Sequence, residues 1–106
     1  MEINVTFRHS EPSPALKEHI LSKIGKFAKY FIKPTMAHVT LNVEGSRHIA
    51  EISFSENHAI FNAHESSHDM YDSVDEALNK IERQLKKYKE KIKDHHKTPL
   101  KELSQI

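Results

Sequence analysis

Residues 2–8 alternate, with Ile3, Val5 and Phe7 on one side of an extended chain and Asn4, Thr6 and Arg8 on the other. That is the period-two pattern of a half-buried strand. Ser13-Pro14 then has the form of a helix N-cap followed by proline at the first helical position. From Pro14 to about Phe31 the apolar residues Leu16, Ile20, Ile24, Phe27 and Phe31 recur at helical spacing. They fill an arc of about 80° and predict an amphipathic helix roughly 27 Å long. Gly25 weakens it by about 1 kcal/mol relative to Ala, and Lys33-Pro34 ends it, because a residue before proline avoids helical dihedrals.

Alternation returns at Ala37, Val39, Leu41 and Val43, a second strand, and Glu44-Gly45-Ser46-Arg47 supplies a turn. The third strand spans about 47–55, with Ala50, Ile52 and Phe54 on one parity. Ile49 breaks that parity, which predicts either a bulge or a strand start apolar on both sides. After Glu56-Asn57 a fourth strand spans about 58–65, with Ala59, Phe61 and Ala63 inward. From Asp69 or Met70 to about Lys93 the period becomes helical again, with Met70, Val74, Ala77, Leu78, Ile81, Leu85, Tyr88 and Ile92 on one face. Tyr88 lies on that apolar arc, so it belongs to the core with its hydroxyl at the edge. Residues 94–106 lack periodicity, contain Pro99, and read as a flexible tail.

The order β-α-β-β-β-α, with one apolar face per helix, predicts an α+β domain over residues 1–93: a four-stranded sheet with two helices packed on one face. The other sheet face, carrying Asn4, Thr6, His38, Thr40 and Asn42, is polar. The 106 residues suffice for one domain, and 37% apolar content for one modest core. The chain has no Cys, which excludes disulfides, thiolate metal sites and a cysteine nucleophile. No apolar run approaches membrane-spanning length, and residues 1–8 lack the apolar stretch of a secretion signal, so a soluble cytoplasmic protein is expected.

Net charge is only +1, but it is unevenly placed. Residues 17–33 sum to +4 and 80–97 to +5, while 34–66 sum to −3 and 67–79 to −4. Such a field steers a polyanion even though the total is near zero. Lys80, Arg83, Lys87 and Lys91 form one stripe beside the apolar face of the second helix, and Lys86, Lys89 and Lys93 form another on its opposite flank. Lys23, Lys26, Tyr30 and Lys33 form a strip beside the apolar face of the first. With the helices side by side, two such strips line a shared groove suited to a phosphate backbone. The competing account is a solvated helix face laced by pairs such as Glu82–Lys86.

Other chemistry has less support. The nine histidines are scattered. His64 and His68 are four apart, with Asp69 a third candidate ligand. One His falls at a strand end and the other before the helix, so they lack the helical geometry that would make a zinc site converge, and no metal or other cofactor is expected. The histidines do make the chain more cationic below about pH 6.5. Ser66-Ser67-His68-Asp69 holds the residue types of a triad but not its geometry, and no catalytic residues are assigned. Asp69, Asp72, Asp75 and Glu76 fit a helix N-terminus, where they cap it and complement its dipole.

One stretch carries a resemblance. Asp69-Met70-Tyr71-Asp72, then Lys80-x-x-Arg83-Gln84-Leu85-x-Lys87-x-Lys89, resembles the signature of the bacterial ribosome hibernation-promoting factor family, which includes the ribosome-associated inhibitor A proteins. Arg8-His9, the Ser-Pro-capped helix with Lys23-x-x-Lys26, and Arg47-His48-x-Ala50-Glu51 are similar to it too. The resemblance covers about residues 1–93 and implies a fold similar to the double-stranded-RNA-binding fold. It further implies a short-form, non-enzymatic factor that binds the small ribosomal subunit and its ribosomal RNA between head and body. There it occupies the messenger and transfer-RNA channel under stress or in stationary phase. Contacts to ribosomal RNA carry over to Lys23, Lys26, Lys80, Arg83 and Lys87, with Arg8, Lys89 and Lys91 as secondary positions. A second hibernation factor is an implied partner, and a monomer is expected off the ribosome. The alternative is a general double-stranded-RNA binder. Two positions depart from the family pattern: Phe7 or Arg8 stands where a glycine is frequent, and the first helix carries few basic residues in its N-terminal half.

Overall fold

A computed structural model describes residues 1–30, 35–56 and 59–97, the side chains of residue 28 and of residues 92–97 excepted. In chain order the elements are β1 (Glu2–Arg8), α1 (Pro14–Gly25) with a 3-10 turn over Lys26–Tyr30, β2 (Thr35–Glu44), β3 (Arg47–Glu56), β4 (Ala59–Ser67) and α2 (Met70–Lys97). The sheet order is β1-β2-β3-β4. β1 runs parallel to β2, with Val5 opposite Val39, and the other two pairings are antiparallel. A parallel neighbour requires a crossover, and α1 supplies it.

Alternation fixes the faces. Ile3, Val5 and Phe7, then Ala37, Val39 and Leu41, then Ala50, Ile52 and Phe54, then Phe61 and Ala63 stand in register on one side. Leu16, Ile20, Ile24 and Phe27 cover them from α1 and its 3-10 turn, and Val74, Ala77, Leu78, Ile81 and Leu85 from α2, closing one core. Both helices therefore lie on one face, as the sequence predicts. Ile49 has the opposite parity and is buried on the other face. Pairing continues through it, to Asn42 on one side and Ser66 on the other, so the strand start is two-sided and carries no bulge.

The first helix departs from expectation. Ser13 Oγ accepts the Leu16 N–H at 3.2 Å, and Pro14 follows as read from sequence. The α-helix then stops at Gly25, where the Lys26 N–H turns to the Lys23 carbonyl and the chain tightens into a 3-10 turn. Glycine is the residue least committed to α-helical dihedrals. Phe31 and Lys33 lie outside the described residues. The tight β2–β3 turn places Gly45 at φ +62°, a conformation that glycine reaches without strain.

Asp69 caps α2, its Oδ1 accepting the Tyr71 N–H at 2.8 Å. Buried Ser73 donates from Oγ to the His48 carbonyl at 2.6 Å, tying the first turns of α2 to β3. At the other end Tyr88 is half-buried, edge-on to Phe61 with ring centroids 5.3 Å apart, and its hydroxyl donates to Glu56 at 3.4 Å. The turns after Tyr88 run past the end of the sheet. The helix continues to Lys97, into the segment read as tail. No helix among the described residues is long and apolar enough to cross a membrane.

Candidate nucleic-acid interface

The apolar stripe of α2 faces the sheet, so the residues beside it form two flanks, and side-chain contacts show where each points. One flank faces α1. His19 Nε2 donates to Asp75 Oδ1 at 2.7 Å, and the Tyr30 hydroxyl donates to Glu82 Oε2 at 3.2 Å. The other faces β4, the edge strand. There the Lys80 ammonium pairs with the Glu65 carboxylate, and Gln84 Nε2 donates to the Asn62 carbonyl at 2.9 Å.

Lys80, Arg83 and Lys87 lie on the β4-facing and outward side. With Gln84, Lys86 and Glu90 they line a groove of about 560 Å³. Lys91 is exposed one turn further on, and helical periodicity puts it on the same flank. Lys89 is exposed as well and falls towards the α1 side. Lys23 and Lys26 are exposed on α1 and at its 3-10 junction, and Lys23 is one turn beyond His19, on the flank that meets α2. Of the two basic strips on α2, it is therefore the one carrying Lys89, and not the one carrying Lys80, that lies beside α1. The Lys80–Arg83–Lys87 strip faces away from α1, and the seam itself holds the His19–Asp75 and Tyr30–Glu82 contacts. A helical wheel gives the angle between a basic strip and the apolar face. Which flank meets the neighbouring helix depends on which strands each helix covers.

Tyr30 is half-buried beside Phe27 and bonded to Glu82, and so is not a free base-stacking ring on the cationic strip. Lys29 Nζ stands 5.4 Å from its ring centre, within cation–π range. Burial, and then the Glu82 carboxylate, push the Tyr30 phenol above its ordinary value. Burial and Glu56 do the same to Tyr88. The Glu65 carboxyl is held below its ordinary value, chiefly by the hydrogen bond from Lys80.

Arg8 stands apart. Its parity on β1, shared with Asn4 and Thr6, puts it on the sheet face opposite the helices, in register with Asn42. That face holds a shallow concavity of about 400 Å³ bordered by His38, Thr40, Glu51, Ser53, Asn62 and His64. Its mixed polarity, Glu51 included, does not suit a phosphate chain. Among the described residues no three His, Asp or Glu side chains converge as metal ligands. Ser67 and Asp69 are engaged in the α2 cap, where the Asp69 N–H donates to Ser67 Oγ at 3.2 Å.

Two residues at the site, one lining the groove and one beside it, escape the charge pattern. Gln84 has no charge, although its position four residues after Lys80 puts it on the same stripe. Glu65 sits at an inward position of β4, where alternation calls for an apolar residue. That break in alternation was its one visible signal.

The geometry is that of a known family. Residues 3–93 match the family described as Sigma 54 modulation protein / S30EA ribosomal protein. A ribosome hibernation promoting factor of Salmonella typhimurium is 33% identical over 95 residues, covering 90% of this chain and all of that protein. The N-terminal domain of Protein Y from Thermus thermophilus superposes with a TM-score of 0.77 at 25% identity, over 83% of this chain and 99% of that one. A ribosomal subunit interface protein from Coxiella burnetii does so with a TM-score of 0.73 at 30% identity, over 84% and 98%. With that coverage of sequence and fold, the chain belongs to the Sigma 54 modulation protein / S30EA ribosomal protein family.

Proposed function

We propose that this protein silences translation by binding the small ribosomal subunit. It lies along the messenger and transfer-RNA channel and excludes both by occupancy, without chemistry, when growth slows in stress or stationary phase. The observation that carries this reading is the exposed cationic layer of the helices: Lys80, Arg83 and Lys87 around one groove, with Lys23 and Lys26 on the neighbouring helix. Relatives named as ribosome hibernation promoting factors and as a ribosomal subunit interface protein support the ribosome as the target. Phosphate contacts from such a layer hold a protein on RNA through counterion release and need no base reading. Lys89 and Lys91 extend the layer, and Arg8, on the opposite face, contacts a separate piece of the channel. The protein acts in the cytoplasm as a monomer off the ribosome.

Co-sedimentation with vacant ribosomes through sucrose, with free RNA duplex as competitor, tests the proposal. Near-stoichiometric comigration that resists the competitor is expected. Loss to the duplex converts the reading to a general double-stranded-RNA binder, and absence of comigration at every salt concentration overturns it. Changing Lys80, Arg83 and Lys87 together to Glu is expected to abolish comigration and translational inhibition. Lys80→Glu sets a second carboxylate against Glu65, so the K80Q/R83E/K87E variant, checked by circular dichroism, separates lost binding from lost fold.

A further inference from the structure

The cations around the α2 groove are not equivalent. Lys80 and Gln84, one turn apart, are both tied to β4, through Glu65 and the Asn62 carbonyl. Arg83 and Lys87 are exposed and have no ion-pair partner among the described residues. The groove thus has a paired side against the sheet and an unpaired rim.

Glu65 is the residue that makes the difference. On β4 it shares parity with Phe61 and Ala63, so it points towards the helix layer. Its side chain is 16% exposed, against 50% for Lys80. A carboxylate partly covered in this way gives up some hydration, and Lys80 compensates for it. Swinging Lys80 away to meet a ligand leaves the carboxylate unpaired. An ammonium carries three N–H donors, so Lys80 can stay on Glu65 and still offer donors to an oxygen arriving from the groove.

We propose that Glu65 is a positioning residue for RNA binding: it fixes the Lys80 ammonium at the base of the α2 groove as a pre-ordered seat for one backbone phosphate. This rests on the RNA-binding reading above. It predicts a counter-intuitive sign. Removing a negative charge near a polyanion site ordinarily tightens binding through the general field. Here, removing it releases a long side chain that must then be ordered on binding.

The test measures affinity for purified small ribosomal subunits at near-physiological salt for the wild type, E65Q, E65D, K80Q and E65Q/K80Q, with a thermal melt of each. E65Q is expected to weaken binding about three- to tenfold, the worth of ordering one flexible side chain. E65D recovers most of the loss. In the K80Q background the Glu65 change no longer weakens binding and only the small tightening of the general field is left, whereas a loss caused by general destabilisation persists there. E65Q binding equal to or tighter than wild type overturns the positioning role. So does an E65Q loss of the same size in the K80Q background. If E65Q does not fold, E65D against K80Q carries the test, and E65D as weak as K80Q overturns the proposal. A wild type that fails to bind subunits at any salt overturns the RNA-binding reading itself, and this proposal with it.

Discussion

Several polar groups sit in or beside the core layer, and each meets a partner from another element. Glu65 meets Lys80, Glu56 meets Tyr88, Glu82 meets Tyr30, and Ser73 meets the His48 carbonyl. Such pairing is what makes polar groups tolerable where water is partly excluded. The two tyrosines have a pH consequence. Both phenols are raised above their ordinary value of 10.0 by burial and a nearby carboxylate. The folded state therefore favours the protonated form. Their contribution to stability is complete below pH 10 and is lost as the pH rises through the folded-state values. Urea denaturation at pH 9, 10 and 11 is expected to show a steeper loss for wild type than for the Y30F/Y88F double variant, which has no phenol to ionise. Parallel slopes would mean that these hydroxyls gain nothing from their carboxylates.

The elements show how far the pattern of residues carries and where it stops. Strand alternation identifies all four strands and the buried face of each, and the Ser13-Pro14 and Asp69 caps start the helices where expected. The length of α1 was less legible. Five apolar residues at helical spacing run across Gly25, yet the helix tightens there, because a 3-10 turn keeps Phe27 buried while it changes direction. Spacing alone does not separate the two when the next apolar residue suits either. The glycines give a paired prediction. A Cβ at Gly25 meets nothing within 4 Å and no positive φ is involved, whereas Gly45 holds φ +62°. Gly25→Ala is expected to raise stability by about 0.5–1 kcal/mol through a stiffer unfolded chain and better helix propensity. Gly45→Ala is expected to lower it by about 1 kcal/mol from left-handed strain. Chemical denaturation of both variants checks the opposite signs.

Over the whole molecule, the arrangement of charge differs from what the sequence invites. The chain is close to neutral, and of the two cationic strips on α2 the one carrying Lys80, Arg83 and Lys87 turns away from α1. The strip of Lys80, Arg83 and Lys87 belongs with β4, and Lys23 and Lys26 belong with α1. No periodicity argument reaches this, because it depends on the crossover from β1 to β2 and on which strands each helix covers. On the RNA-binding function proposed above, that separation makes the two sets independent sites. Lys80, Arg83 and Lys87 changed together to Ala, and Lys23 and Lys26 changed together to Ala, each remove their own phosphate contacts. Each lost contact lowers the slope of log K against log salt by about 0.7–0.9. Combining the two sets is expected to give affinity and slope losses that add, with a coupling below about 0.5 kcal/mol, as for sites that share no partner. Binding to small subunits, titrated across salt for wild type, both set variants and the five-residue combination, measures that coupling. A combined loss well short of the sum would place both strips on one phosphate track, and the RNA would then have to cross the seam held by His19–Asp75 and Tyr30–Glu82.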